Sequence, residues 1–367
     1  MKIASIVPVY GEPKRAGDIA AKLAAMLREG DRVVIAVDGE TNASIESVLG
    51  RLPNGVEVRR NGVRLGKCET VNRAAAAIHA DAYLMLDNDV ELPEDPAFLN
   101  RVEAELARRE VVEFPKEAIG RTPIARMMSM EFLSFAMISW TMASLAGRSP
   151  SMNGAAFAVD ALTFRMLGGF RPVVNEDMDF AARAFQLGAR FGFPRSLKVR
   201  NEVPEDLSRW VVQRKRWALN NVLWVRENLP IIVAHFFRTP ALFLSTVLLF
   251  LPFLSYLAVY FLARDTVLAQ ALPLVFTVTQ HFHVLSGFFL VPAHLGLIMA
   301  EGWVPTLAGV LVALLTFFSF SRLLRFRFNP IDFIFYYFVY SPVWLVANAA
   351  MFIVLLARLP VELDWKV

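Results

Sequence analysis

The segment Ala82-Tyr83-Leu84-Met85-Leu86-Asp87-Asn88-Asp89 runs apolar for five residues and then turns abruptly polar. An uninterrupted apolar run of that length, stopped by Asp and Asn, predicts a strand buried on both faces and ending in a loop. The same pattern occurs twice upstream, with a third strand beside it. Lys2–Val9 runs into Tyr10-Gly11-Glu12, Arg32–Val37 is stopped by Asp38-Gly39, and Val56–Arg60 is a short third strand. Helical spacing fills the intervals at Arg15–Glu29, Ala43–Leu52 and Lys67–His79. Strands alternating with helices predict an α/β domain with a mostly parallel sheet, Rossmann-like in plan. In such sheets ligands bind at the carboxyl ends of the strands. Tyr10–Glu12, Asp38–Glu40 and Asp87–Asp89 all fall there.

Further along, Pro123–Leu145 is rich in Met and aromatic residues and reads as a buried helix or one lying on a membrane. Met152–Phe157 is a segment of small residues, Phe170–Glu176 a loop, and Asp177–Leu187 a helix ended by Gly188. Leu207–Arg226 is another helix, with Trp210, Trp217 and Trp224 spaced by seven. That spacing suits ordinary core or an interfacial helix. From Thr239 the chain is almost wholly apolar. Thr239–Ala263, Trp303–Phe320 and Ile331–Ala357 are each long enough to cross a bilayer. Leu268–Ala300 carries Pro273, Gln280, His281, His283, Pro292 and His294, and reads as a kinked span or as an interfacial piece before one. The expected division is a catalytic domain over 1–206, interfacial amphipathic helices over 207–238, and three to four membrane helices over 239–360. Four spans would leave Arg322, Arg325 and Arg327 outside, against the positive-inside rule, and three would leave them inside.

Composition agrees with a two-part chain. Of 367 residues 56% are hydrophobic, and the mean hydropathy is +0.44. That is too apolar for a soluble protein and too charged for a pure transporter. The net charge of +4 is modest. Its basic residues crowd Arg195–Arg238 and Arg322–Arg327, a placement that suits anionic lipid headgroups, and no aromatic-basic nucleic-acid motif stands out. Cys68 is the single cysteine, so neither an internal disulfide nor a Cys-rich zinc site can form. Met1–Pro13 lacks the pattern of a signal peptide, and the catalytic part is expected in the cytoplasm.

Several polar groups suggest chemistry. Asp87 and Asp89 point to the same side of an extended chain, where two carboxylates can hold Mg2+ or Mn2+ against a diphosphate. The alternative is a polar turn. Asp38 can accept from a base or ribose, or simply form a turn before Gly39. Tyr10 and Glu12 lie where they can touch the same nucleotide. Lys67, behind Gly66 at a helix start, can bind phosphate or be an ordinary surface lysine. Asp177, after Glu176, is either an N-cap or a general base for an attacking hydroxyl. Gln213, Arg216 and Trp217 share one helix face, with an arginine for a diphosphate and an indole for a sugar ring. Alone, that helix reads as a basic amphipathic one on a membrane.

Taken in order, Val7-Pro8-Val9-Tyr10, Val37-Asp38-Gly39, Gly66-Lys67, Asp87-Asn88-Asp89, Glu176-Asp177 and Gln213-Arg214-Lys215-Arg216-Trp217 resemble family 2 glycosyltransferases of the GT-A fold, over residues 2–220. The last pentapeptide is similar to the Q-x-x-R-W motif of cellulose, chitin and hyaluronan synthases and of ceramide glucosyltransferases. The resemblance implies a nucleotide-sugar donor, UDP-linked, held by Pro8, Tyr10, Glu12, Asp38, Lys67, Asp87, Asp89, Gln213, Arg216 and Trp217. It implies Mg2+ or Mn2+ on Asp89 and Asp87, with Asp89 the more direct ligand, and Asp177 as the base. Asn153, Gly154, Glu176 and Trp217 would meet the acceptor, a lipid or a growing polysaccharide. The reaction would be a single displacement with inversion, in a multi-pass membrane protein that can form oligomers. A polyprenyl-phosphate sugar synthase is a variant of this expectation. A nucleotide-sugar-binding transporter or channel component, with His281, His283 and His294 along its path, is a rival of another class. The sequence departs from the polysaccharide synthases in three respects. No membrane helix precedes the catalytic part, no gating loop is recognisable, and the short bundle leaves little material for a polymer channel.

Overall fold

The computed structural model describes residues 1–249 and 303–357. The remainder of the Thr239–Ala263 segment, all of Leu268–Ala300, and with them His281, His283 and His294, lie outside the described residues. The chain begins β1 (Ile3–Val9), α1 (Ala16–Ala25), β2 (Arg32–Val37), α2 (Ala43–Leu49), β3 (Val56–Arg60), α3 (Lys67–Ala76) and β4 (Ala82–Leu86). These are the seven elements expected from the alternating pattern, with helix ends drawn in by up to four residues. It continues β5 (Val90–Glu91), α4 (Phe98–Leu106), β6 (Val111–Glu113), β7 (Lys116–Ile119), α5 (Pro123–Leu145), β8 (Ala156–Asp160), α6 (Ala161–Met166), α7 (Glu176–Leu187), β9 (Phe191–Gly192) and β10 (Val199–Glu202). The last helices are α8 (Leu207–Phe236), α9 (Pro240–Leu249), α10 (Trp303–Leu324), α11 (Pro330–Phe335) and α12 (Ser341–Leu356), the final two joined by a π-turn at Tyr336–Tyr340.

Seven strands form one sheet in the order β3-β2-β1-β4-β8-β6-β9, and β5-β10-β7 form a second. β1 pairs in parallel with both β2 and β4, and β2 with β3. β8 runs antiparallel to β4 and β6, so the expected mostly parallel sheet is mixed beyond β4. Met152–Phe157, read as a small-residue segment, is the approach to β8. Its residues are small because β8 is inserted between two strands and buried on both faces. Two apolar layers sandwich the sheet. Ile3, Val7, Val33 and Ile35 point to one, with α1 and α4, and Ala4, Ile6, Val34 and Tyr83 to the other, with α3 and α5.

α5 spans Pro123–Leu145 as expected, started by Thr122, whose hydroxyl accepts from Ala125 N. It is a core helix: Met128, Leu133 and Met137 are fully buried. α8 runs ten residues beyond its expected end at Arg226. Trp210 and Trp224 on it are buried, so the heptad of tryptophans packs inward. Leu307–Leu324 and Pro330–Leu356 are long and apolar enough to cross a membrane, and only 22% and 17% of them is buried in the protein. Between them the turn at Arg325, where φ is +59°, docks on the α/β domain. Arg195 Nη1 donates to Leu323 O at 2.7 Å. Lys198 donates to Arg325 O and lies 4.2 Å from the Phe326 ring centre.

Candidate active site

Parallel register sets the site. β1, β2 and β4 lie side by side and end together, which brings Pro8, Asp38 and Asp87 to one edge. A narrow cleft lies there, lined by Pro8, Lys67, Asp87, Gly154, Glu176 and Asp177 among others. Six positions from five separate segments thus meet.

Lys67 is the hub. Its Nζ lies 2.7 Å from Asp87 Oδ1 and 3.0 Å from Glu176 Oε1. Burial works against its charge, but the facing Asp87 and Glu176 carboxylates prevail and hold its pKa well above the usual lysine value. Gly66, with φ at +97°, caps α3 and aims Lys67 inward. Asp38 holds that turn: it is buried, and its two oxygens accept from Leu65 N at 2.6 Å and Gly66 N at 3.0 Å. Tyr10 stands 52% exposed beyond it, with the Arg64 guanidinium 4.3 Å from its ring centre. Asn88 Nδ2 donates to Glu12 O at 2.8 Å, tying the loops after β1 and β4 together.

Asp89 faces the other sheet. Its Oδ2 lies 3.2 Å from Lys14 Nζ, and its Oδ1 accepts a long 3.4 Å bond from Asn201 Nδ2 on β10. Asn201 Oδ1 is buried with no hydrogen-bond partner. Burial raises the Asp87 pKa, and Lys67 opposes that rise. Among the described residues no cluster of three or more His, Cys, Asp or Glu side chains forms. Mg2+ and Mn2+ in nucleotide sites take one or two carboxylates and fill the remaining positions with phosphate oxygens and water. Asp87 and Asp89, which sit close enough for each to raise the cost of the other's charge, are hard-oxygen donors of that kind.

Asp177 is not the N-cap of α7. Asn175 takes that place, and Asp177 sits one residue inside the first turn. Its Oδ2 accepts from Gly154 N at 2.7 Å and its Oδ1 from Met178 N at 2.8 Å. Burial and the neighbouring Glu176 charge raise its pKa to about 6, against the pull of Lys67 and the two amides. Gly154 has no room for a side chain, since a Cβ there would stand 2.4 Å from Asp177 Cβ and 2.9 Å from Oδ2. Gly154→Ala is therefore expected to displace the carboxylate by a fraction of an ångström. Transfer should fall about 10²-fold while the affinity for donor, read by calorimetry, stays within threefold. Retained turnover would show that the position of Asp177 does not matter.

α8 is continuous through the motif, so Gln213, Arg216 and Trp217 fall on one side of it, each half-buried. Trp217 is half-buried and meets Phe135 at 6.2 Å between ring centres. Gln213 Oε1 is buried without a partner. Arg216 is half-buried, whereas Arg214, two residues away, is fully so. Arg214 pairs with Glu131 of α5 through two bonds of 2.6 and 2.7 Å. α8 also braces the base: Trp224 Nε1 donates to Met178 O at 3.3 Å and Asn220 Nδ2 to Val174 O at 3.4 Å.

Three contributors escaped sequence reasoning. Asn72 donates to Phe170 O and accepts from Phe170 N, fixing the loop that leads to Glu176. Glu113 and Lys116 form a buried pair beside Asn153. Asn72 lay one turn past Lys67 and was the most findable.

Family models place these features. The model of glycosyl transferase family group 2 matches residues 95–357, and that of glycosyl transferase family 2 matches residues 5–159. The chain belongs to glycosyl transferase family group 2. It is an enzyme, a glycosyltransferase, and the transporter reading falls. A comparison with curated proteins finds no match. Among solved structures the glycosyltransferase resembles the mannosyltransferase PcManGT from Pyrobaculum calidifontis, solved in complex with GDP-Man and Mn2+. The TM-score is 0.53 at 18% identity, over 83% of this chain and 87% of that one. That likeness establishes the GT-A fold. A mycobacterial protein of known crystal structure also matches, with a TM-score of 0.41 and 15% identity over 59% of this chain and 72% of that one.

Proposed function

We propose that this glycosyltransferase moves a sugar from a nucleoside-diphosphate donor to a hydroxyl of a membrane-held lipid or glycan, inverting the anomeric centre in one displacement. The observation that carries this is Asp177, anchored by Gly154 N, raised to about 6 and set in the same cleft as Asp87 and Lys67. The Asp177 carboxylate takes the acceptor proton as the hydroxyl oxygen forms its bond to the anomeric carbon. The bond from that carbon to the diphosphate oxygen breaks, and the nucleoside diphosphate leaves with the electron pair. Lys67 sits at the N-terminus of α3, where its ammonium and the helix amides favour phosphate. Asp38, by fixing Leu65 and Gly66, presents that turn, and Tyr10 offers an exposed ring to the base. Asp87 and Asp89 would hold Mg2+ or Mn2+, which when bound neutralises the diphosphate. Gln213, Arg216 and Trp217 of α8 would serve the diphosphate and the acceptor.

The membrane reading rests on two apolar helices whose faces are mostly open, with Leu307, Leu311, Leu315 and Phe318 along one exposed side. Such a continuous apolar side suits lipid. The Arg322–Arg327 turn is bound to the α/β domain, so with a cytoplasmic catalytic domain these arginines lie inside. That favours three spans over four. The division into 1–206, 207–238 and 239–360 follows the same reading. α8 would lie at the interface, exposing Val211, Val212, Leu229 and Val233 between basic residues.

The test is turnover by the purified full chain in native lipid extract with Mg2+ or Mn2+, across the common sugar nucleotides. Nucleoside diphosphate release with one donor is expected, UDP-linked first. The product size separates one added sugar from a ladder. No release with any donor would sink the reading.

A further inference from the structure

Lys14 lies in the loop between β1 and α1, with its backbone in the left-handed region at a φ of +35°. Among the described residues Arg325 is the one other non-glycine residue with a positive φ. Both neighbours of Lys14 are fixed. Pro13 is buried, and its carbonyl accepts from Ala16 N at 2.7 Å. Arg15 N donates to Asn88 O at 2.9 Å, and the Arg15 guanidinium pairs with Glu202 at 2.7 Å and Glu91 at 3.1 Å. Glu202 N in turn donates to Asp89 O at 3.0 Å. The backbone on either side is thus tied down, and the Lys14 side chain is directed at Asp89, with Nζ 3.2 Å from Oδ2. The two side chains are 39% and 25% exposed. An ion pair this exposed adds little to stability, and a left-handed lysine subtracts from it. Stability therefore does not account for the arrangement, and backbone strain of this kind collects at functional sites.

Each aspartate of the pair carries its own lysine. Lys67 Nζ stands 2.7 Å from Asp87 Oδ1, as Lys14 Nζ stands by Asp89. The two lysines differ in what else holds them. Lys67 also faces Glu176 at 3.0 Å, whereas Asp89 is the one carboxylate partner of Lys14 among the described residues. We infer that Lys14 is a phosphate-binding residue of the donor site, released to the diphosphate when Asp89 takes a divalent cation. The inference rests on Asp87 and Asp89 being the metal-holding pair. An ammonium and a divalent cation on one carboxylate repel each other, so they compete for Asp89. Lysine carries three donors on a flexible four-carbon stem, which lets Lys14 turn from the carboxylate to phosphate oxygens. Asp89 then exchanges an ammonium for the metal, and the ammonium exchanges a carboxylate for phosphate. Without a diphosphate Lys14 has no second anion to move to, and it holds Asp89 against the metal. With one, both exchanges proceed together, so metal and nucleoside diphosphate each tighten the binding of the other.

The test uses the full chain in detergent and reads binding apart from turnover. Mn2+ is followed by electron paramagnetic resonance, and uridine, guanosine, adenosine and thymidine diphosphates by calorimetry. Lys14→Met removes the ammonium and Lys14→Arg keeps a cation. Lys14→Gly removes the ammonium while fitting the left-handed backbone, which covers the case of a loop disturbed by Lys14→Met. Without nucleotide, Lys14→Met and Lys14→Gly are each expected to bind Mn2+ about fivefold more tightly than the wild type. At saturating Mn2+ they should bind the diphosphate that the wild type prefers about tenfold more weakly. Lys14→Arg should recover most of that loss. Unchanged Mn2+ affinity in both variants overturns the inference, as does tighter Mn2+ with unchanged diphosphate affinity. Sugar-nucleotide turnover that needs no divalent cation sinks it and leaves Asp177 and the transferase reading standing. The expected binding pattern in a chain that turns over no donor does the reverse.

Discussion

Asp177→Asn is expected to remove transfer while leaving donor affinity intact. A positioned general base contributes about 10²–10⁴-fold, and the amide keeps the shape and loses the basicity. Direct measurement of nucleoside diphosphate release against donor binding separates the two effects. Wild-type turnover should also fall about tenfold per pH unit below about 6, where the carboxyl takes its proton. The stability consequence has the opposite sign. An aspartate in the unfolded chain ionises near 4, and this one ionises at about 6 in the fold. The folded state therefore binds the proton more tightly, and ionisation costs stability as pH rises from 4 through 6. Above pH 6 the asparagine variant escapes that cost, about 1–3 kcal/mol. Its single amide oxygen, however, replaces only one of the two that accept from Gly154 N and Met178 N. Its melting temperature should therefore gain on the wild type's as pH rises from 4 through 6. At pH 4 that gain should be absent. A variant that still transfers sugar at wild-type rate would show that the proton goes elsewhere.

How much of this was legible in the chain depends on the length of each element. β1, β2 and β4 are parallel strands buried on both faces, so each is an apolar run that stops where the sheet stops. Their polar ends, Asp38 and Asp87, could be read without a structure. β5 and β9 are two residues each, too short for any periodicity to show. Glu113 and Lys116 escaped notice for a different reason. Charged residues flanking Phe114-Pro115 look like a solvated turn, and only the sheet pairing shows that they are inside. On α8 the sequence pointed to Arg216. Burial adds Arg214, two positions round the helix and on the opposite side, as the partner of Glu131, which no sequence pattern marked.

Breaking the Glu131–Arg214 pair should give the largest loss of stability. Both side chains are 3% exposed and joined by two bonds. The guanidinium lies among four rings, 4.4 Å from the Trp217 centre, 4.9 Å from Trp344, 5.5 Å from Trp210 and 5.6 Å from Tyr340. Tyr340 Oη donates to Glu131 at 2.9 Å and Trp210 Nε1 to Tyr340 Oη at 3.2 Å. Removing one ion strands the other in this apolar cage, at a cost of about 3–5 kcal/mol. Arg214→Met and Glu131→Gln are each expected to lower the melting temperature by about 5–15 °C. The double variant Glu131→Leu with Arg214→Met should recover most of the loss, because well-packed apolar groups replace a buried pair at little cost. Additive losses in that cycle would show that the two groups do not depend on each other.

That cage also orders events during synthesis. Glu131 and Tyr340 are 209 residues apart in the chain. At about 5–20 residues per second the ribosome finishes α5 roughly 10–40 s before the residue that closes over it. Arg214 is made within that interval and can pair with Glu131 first, but the pair lacks the Tyr340 hydroxyl until the end of it. The cage around α5 is therefore complete only after the π-turn that carries Tyr340 has been made.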